Sequence, residues 1–213
     1  MDRVNAPRVM FFVLSILCVV PTFVHSFSTP TTPIAFDGGI LDSIFGSDPA
    51  AQKRANLKAS LLAECRQAKP SRERIESLIL ELTPLSPTQN AASSSRLQKK
   101  WILEWTTEKE INVFLDWGIS GTISQRIDGL VLQNLIPFLR GGSFGVTGKL
   151  SIPDQGGIRT DFKFESATLD LGKWGSFTVP PVGEGWFDTV FLDDDFRVDT
   201  NSRDDILICT AEQ

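Results

Sequence analysis

GEGWFDTVFLDDDFRVDTNSRDDILIC, residues 183–209, decides how the rest of the chain is read. Gly183 and Gly185 form a turn, and 186–192 carries the aromatic and β-branched residues of a strand. Asp193, Asp194 and Asp195 make a tight acidic corner, and 196–198 opens a return strand. Asn201, Ser202 and Asp204 mark a second turn, and 206–209 is a last strand. The stretch is a β-meander. Three consecutive carboxylates cannot enter a core without partners. Arg197 is the base beside them, so a carboxylate–guanidinium clamp from Asp193 to Arg197 is one reading, and a solvated turn is the other.

Period-two patterning extends upstream as far as Leu97. Trp101, Leu103 and Trp105 alternate with Ile102, Glu104 and Thr106. Phe144, Val146, Leu150 and Ile152 share a face, with Gly148 between them. Ile158, Thr160, Phe162 and Phe164 alternate with Arg159, Asp161, Lys163 and Glu165. Glycine-bearing turns fall at 141–142, 153–157, 172–175 and 180–185. Roughly eight or nine short strands spaced this way predict a closed up-and-down antiparallel β-barrel over 96–210, with a β-sandwich as the structural rival. A ring of about eight strands can enclose one small ligand or be filled by its own side chains.

Before the strands the period is helical. Ser47-Asp48-Pro49 caps a first helix whose apolar face is Leu57, Leu61, Cys65 and Ala68. Pro70-Ser71 stops it and caps a second, with Ile75, Leu78, Ile79 and Leu82 at i, i+3, i+4, i+7. Lys53, Arg54, Lys58 and Arg66 line the opposite face of the first helix. That basic face is either solvated or laid on an anionic membrane. The helical pair spans 48–83, and Pro84, Pro87 and 90–95 form a linker. The domain is therefore mainly β (α+β).

The N-terminus reads as an address. Arg3 and Arg8 precede an apolar run over 9–20, and Val24-His25-Ser26 fits a cleavage site, so 1–26 is a signal peptide. Segment 27–47 opens on Phe27 and continues through a Ser/Thr/Pro-rich piece. It resembles the second, transit-like part of a presequence that delivers proteins to plastids of secondary origin. Plain secretion is the other destination these residues allow. The apolar run is short for a membrane span.

Composition closes off several chemistries. Net charge is −5, and from residue 183 onward nine acids face only Arg197 and Arg203. An acidic chain of this kind is no nucleic-acid binder. The single histidine, His25, lies in the predicted signal peptide, which excludes histidine acid–base catalysis and most zinc sites from the mature chain. Gly141-Gly142-Ser143-Phe144-Gly145 matches Gly-x-Ser-x-Gly, but strand residues rather than a helix follow Ser143. The acids of 193–205 lack the glycine and closing glutamate of a calcium loop. Cys65 and Cys209 are either free buried thiols or one disulfide. No catalytic residue, metal site or cofactor is assigned. An enzyme on this barrel would have to use carboxylates such as Asp188 or Asp193.

Three motifs carry a resemblance. LQKKWILEWTT at 97–107 resembles the first strand motif of the plastid lipid-associated proteins, also called fibrillins or plastoglobulins, with Lys99 where that family has glycine. Residues 125–134 followed by GSFGVTGKL at 142–150 resemble its central pattern. Gly185, Trp186, Asp188, Thr189, Asp193 and Arg197 match its C-terminal Gly-Trp-φ-Asp-Thr-x-φ-Leu-Asp…Arg motif, where φ is apolar or aromatic. The resemblance implies a lipocalin-like barrel in the plastid and no catalytic residues. It implies that apolar lipids, carotenoids or prenylquinones are bound or organised at plastoglobules or thylakoids. A secreted lipocalin-like carrier is the alternative. On this view Trp101, Trp105, Phe144, Phe162, Phe164 and Trp186 are candidate ligand-binding residues, and Trp117 and Trp174 join the tryptophans suited to a wet–apolar boundary.

Overall fold

The computed structural model describes residues 48–153, 156–180 and 183–213; the predicted signal and transit-like segments, 1–26 and 27–47, lie outside the described residues. Residues 54–213 form one compact unit, and 48–53 belong to the opening of the first helix. Among the described residues no helix is long and apolar enough to cross a membrane.

Helix α1 is Pro49–Cys65 and helix α2 is Arg72–Leu82. The Asp48 carboxylate accepts from Ala50 N at 3.0 Å, and Ser71 caps α2 by accepting from Arg74 N at 3.2 Å. All four predicted α2 residues, Ile75, Leu78, Ile79 and Leu82, are buried. Each contributes about 1.5–3 kcal/mol relative to an exposed position. Helix α1 ends at Cys65, so Ala68 falls in the following turn and is exposed rather than part of the apolar face.

The strands are β1 Lys100–Thr106, β2 Ser124–Asp128, β3 Val131–Pro137, β4 Ser143–Ser151, β5 Arg159–Asp170, β6 Ser176–Val179, β7 Glu184–Leu192, β8 Phe196–Asn201 and β9 Ile206–Ala211. A third helix, α3 Lys109–Asp116, joins β1 to β2. Sequential antiparallel pairing runs β1-β2-β3-β4-β5, then β7-β8-β9, and β9 pairs back to β1. This is a ring of antiparallel neighbours in chain order, the lipocalin-like arrangement, and not a sandwich. The ring is incomplete along one side. Residues 159–163 of β5 pair with β7, whereas 167–170 pair with the short β6.

Bulges decide which side chains enter the ring. At Glu165 the β4–β5 register slips, so the inward set of β5 changes from Thr160, Phe162 and Phe164 to Ala167 and Leu169. A second slip between Leu103 and Trp105 corrects the simple alternation of β1. Trp101 and Leu103 pack with the interior cluster of Leu132, Leu150, Phe187 and Leu192. Trp105 instead joins the cluster formed by α1, α2, Phe191, Phe196, Val198 and Ile208. The strands β7, β8 and β9 are thus covered on the outside by helices and on the inside by the ring, which is why β8 is buried at nearly every position.

Cys65 belongs to the helix-side cluster and Cys209 to the interior one; both are free and buried, so no disulfide joins them. Burial pushes the Cys65 thiol up to about 12 and the Cys209 thiol up to about 11.

Candidate functional site

Arg197 and Asp199 are two residues apart on β8, so both project to the same face, the inside of the ring. Arg197 is fully buried and its guanidinium lies 5.0 Å from the centre of the Trp101 ring. Nη2 donates to Gln125 Oε1 at 2.6 Å and to Cys209 Sγ at 3.7 Å. Nε lies 3.1 Å from Asp199 Oδ2, close enough for an ion pair, but its N–H does not point at the oxygen. The Thr189 hydroxyl donates to Asp199 Oδ1 at 2.7 Å, and Gln125 Nε2 donates to Asn134 Oδ1 at 2.9 Å. Burial pushes the Asp199 carboxyl above its ordinary range, against the pull of Arg197. A polar line from Asn134 through Gln125, Arg197 and Asp199 to Thr189 therefore crosses an otherwise apolar interior.

This placement corrects the predicted clamp. Arg197 pairs with Asp199 and Gln125, not Asp193. The acidic corner is held instead by bases from the N-terminal half. Lys58 Nζ donates to Asp193 Oδ2 at 2.7 Å and also to Asp195, Arg96 Nε donates to Asp194 Oδ1 at 2.9 Å, and Lys99 Nζ donates to the Asp194 carbonyl at 2.7 Å. Within the corner, Asp193 Oδ1 accepts from the backbone of Asp195 and Phe196 at 3.1 and 2.8 Å. Arg66 pairs with Glu104 at 3.0 Å. Lys58 of α1 and Arg66 just past its end, both on the predicted basic face, are thus engaged by the ring's own acids.

The other motif residues support the strands. A Cβ at Gly185 would lie 2.7 Å from Ser202 Oγ and 3.2 Å from Phe162 Cζ, so both side chains would have to give way. Asp188 receives the Arg159 guanidinium in a two-point contact at 2.8 Å for each bond, and the same guanidinium stacks 3.7 Å from the centre of the Trp186 ring. Trp186 lies on the opposite face of β7 from the inward Phe187, so it belongs to the outer surface rather than the interior. A shallow groove of about 500 Å³ over β4, β5 and β7 is lined by residues of both faces, Trp186 from the outer and Phe162 and Gly185 from the inner. Phe162 and Phe164 face inward with ring centres 5.0 Å apart, and Phe144 faces inward farther along β4. The six predicted ligand-binding residues do not converge on one cavity.

Sequence reading missed α3, although Ile111, Phe114 and Leu115 are spaced for a helix. Phe114 stacks on Phe138 and Phe144, at 6.2 and 6.4 Å between ring centres. The loop after α3 is tied to the β3–β4 turn, where Leu139 N donates to Ile119 O at 2.9 Å. That turn abuts the β5–β6 turn: Gly142 sits at φ 90°, and a Cβ there would lie 2.3 Å from Asp170 O. Three connections are thus fixed together at one end of the ring. These connections and the element ends beside them expose Leu115 of α3, Trp117, Leu139, Trp174 and Phe177 of β6, with Leu139 68% and Trp174 74% accessible. Lys173 Nζ lies 5.4 Å from the Trp174 ring centre.

Glu108 occupies the N-cap position of α3, beside the β8–β9 turn, and makes no side-chain capping bond. It accepts from Asn201 Nδ2 at 2.8 Å, and Arg203 bridges toward Glu108, Glu110 and Asp205 at 3.7, 2.8 and 3.4 Å. Burial pushes its carboxyl up to about 7, outweighing Arg203. The folded state therefore binds this proton more tightly than the unfolded chain. The stabilisation is complete below about 4.5 and is lost as pH rises through about 7, a loss of about 1–3 kcal/mol. Glu108→Gln keeps the acceptor for Asn201 and is expected to flatten that part of the stability–pH curve, read by urea unfolding across the range. An unchanged slope places the titration elsewhere.

Among the described residues no three His, Cys, Asp or Glu side chains come together to hold a metal ion. No solved structure matches the chain. In sequence it is 33% identical, over 178 residues, to the probable plastid-lipid-associated protein 11, chloroplastic, of Arabidopsis thaliana, covering 78% of this chain and 82% of that one. The PAP_fibrillin family model matches residues 58–210, which contain α2, α3, the ring up to the last residue but one of β9 and the Gly185–Arg197 motif. On both grounds, the chain belongs to the PAP_fibrillin family.

Proposed function

We propose that the protein is a non-enzymatic, peripheral lipid-associated protein of the plastid that docks on a lipid surface through the rim carrying Leu139 and Trp174. The observation that carries this reading is the cluster of five large apolar side chains fixed at one end of the ring. Apolar groups left in water on rigid turns mark an interaction surface. Tryptophan beside lysine suits the boundary between headgroups and acyl chains. The chloroplastic relative's name supports the compartment and the lipid class of partner. Plastoglobules and thylakoids both present such surfaces. The helical side is the weaker docking face because Lys58 and Arg66 are already paired with acids of the ring. It does bear an apolar groove of about 530 Å³ lined by Ile79, Leu80, Pro84, Val190 and Ile206.

Flotation with triolein droplets coated by phosphatidylcholine tests the reading. Leu139→Ser together with Trp174→Ser removes about 3–6 kcal/mol of apolar contact with the droplet and is expected to weaken flotation at least about a hundredfold, with an unchanged melting curve. Leu80→Ser, on the helical side, is expected to float like the parent. The opposite ranking moves the contact to the helices, and no flotation of the parent removes surface docking.

A further inference from the structure

Helix α3 is lightly seated on the ring. Helix α2 buries four apolar side chains, whereas none of the eight residues of α3 is fully buried, although Ile111, Val113, Phe114 and Leu115 are apolar. A segment that buries so little opens at low cost. Leu115 and Trp117 are two of the five exposed apolar side chains of the rim, so whatever holds α3 also sets how they are presented. Polar contacts hold its start. Only 19% of the Glu108 side chain is accessible, and it accepts from Asn201 Nδ2 of β8 at 2.8 Å. Glu110 takes Arg203 Nη1 at 2.8 Å, and Asp205 lies 3.4 Å from Arg203 Nε. Asp205 Oδ1 also accepts from Thr107 Oγ1, next to Glu108 in the chain, at 3.1 Å. Arg203 thus faces three carboxyls, with Glu108 the farthest at 3.7 Å. Of the other charges nearby, Lys109 and Asp204 are exposed, and Arg72 of α2 feels Asp205 but pairs with Glu76 at 2.7 Å.

We infer that Glu108 and Arg203 form a proton-operated latch on α3. With Glu108 neutral the start of the helix is held to the β8–β9 turn, and with Glu108 ionised it loosens, so docking through the rim weakens as pH rises. Charge repulsion sets the sign. A neutral Glu108 leaves one guanidinium between two carboxylates and keeps the Asn201 bond. Ionisation puts a third anion at the same cation in a site mostly closed to water, so repulsion from Glu110 and Asp205 adds to the cost of desolvation. The positive end of α3 offsets little of this, because the carboxyl makes no bond to the first turn. Burial pushes this carboxyl up to about 7, so the change falls near neutral pH. A loosened α3 has to be ordered again when Leu115 and Trp117 meet lipid, and that ordering lowers affinity. Leu139 and Trp174 stay fixed on their turns, so docking is weakened rather than abolished. The inference rests on the docking reading and concerns its regulation.

The test is flotation of the full-length chain with phosphatidylcholine-coated triolein droplets from about pH 6 to about pH 8.5, a range over which that headgroup keeps its charge. Affinity is expected to be at least about fivefold higher at the acid end, with a midpoint at about 7. Amide hydrogen exchange over 109–118, corrected for base catalysis, is expected to show α3 losing protection over the same range while β8 and β9 keep theirs. Glu108→Gln keeps the acceptor for Asn201 without the charge. It is expected to float like the parent at the acid end, and to hold both that affinity and the protection of α3 to the alkaline end. Equal flotation of the parent across the range overturns the latch and leaves surface docking standing. A pH dependence that persists in the glutamine variant also overturns it, by assigning the titration to another group. So does a pH dependence without a change in α3 exchange, which does not pass through the helix. If the parent floats at no pH, the docking reading falls and the regulation falls with it.

Discussion

Arg197→Met is expected to destabilise the fold by about 3–5 kcal/mol, because it leaves Asp199 buried without its cation. The loss has several parts. Asp199 is almost wholly buried and keeps only the Thr189 hydroxyl as a donor, and Gln125 Oε1 loses its 2.6 Å contact. Trp101 loses the cation above its ring. Methionine replaces the volume but not the charge. Pairing the change with Asp199→Leu is expected to recover most of the stability, since removing both partners of a buried ion pair costs far less than removing one. Urea unfolding of the single and double variants decides the matter. A single variant within about 1 kcal/mol of the parent would mean that Asp199 is already protonated in the parent fold.

Asp193→Ala is expected to cost about 2–4 kcal/mol, from a lost charge-assisted bond and from backbone N–H groups left unpaired. One carboxyl does two jobs there. Its Oδ2 takes Lys58 from α1 at 2.7 Å, and its Oδ1 takes the Asp195 and Phe196 N–H groups that shape the corner between β7 and β8. Asp193→Asn, which keeps an acceptor for the corner but drops the charge, is expected to lose about half as much. Lys58→Met reports the helix-to-ring contact alone. Should Asp193→Ala and Lys58→Met cost the same, the corner hydrogen bonds contribute nothing measurable, and the carboxyl acts only as an anchor for α1.

Most of the pattern needed for the fold was legible in the chain because it depends on neighbours a few residues apart. The four apolar residues of α2 follow from helical spacing, and β4, the first half of β5 and the terminal meander follow from period two. Glycine positions located the turns, and the resemblance to the family was carried by three short motifs. The acidic corner was legible as a corner but not in its partners. Lys58 and Arg96 stand 135 and 98 positions away from the acids they hold.

The amino-acid sequence by itself determined that a helical pair precedes the strands, the absence of histidine chemistry from the chain after residue 25, and the presence of tryptophans able to meet an apolar phase. Only the tertiary structure decided where those side chains point. Two bulges reverse the inward face within β1 and β5, and a one-residue slip moves every later side chain to the other face of a sheet. That is why Trp105 packs under the helices while Trp101 lies beneath Arg197. Ring closure through β9 and β1 then brings Gln125 to Arg197, 72 positions apart. Local spacing fixes periodicity, but closure of a sheet joins residues that no local pattern relates.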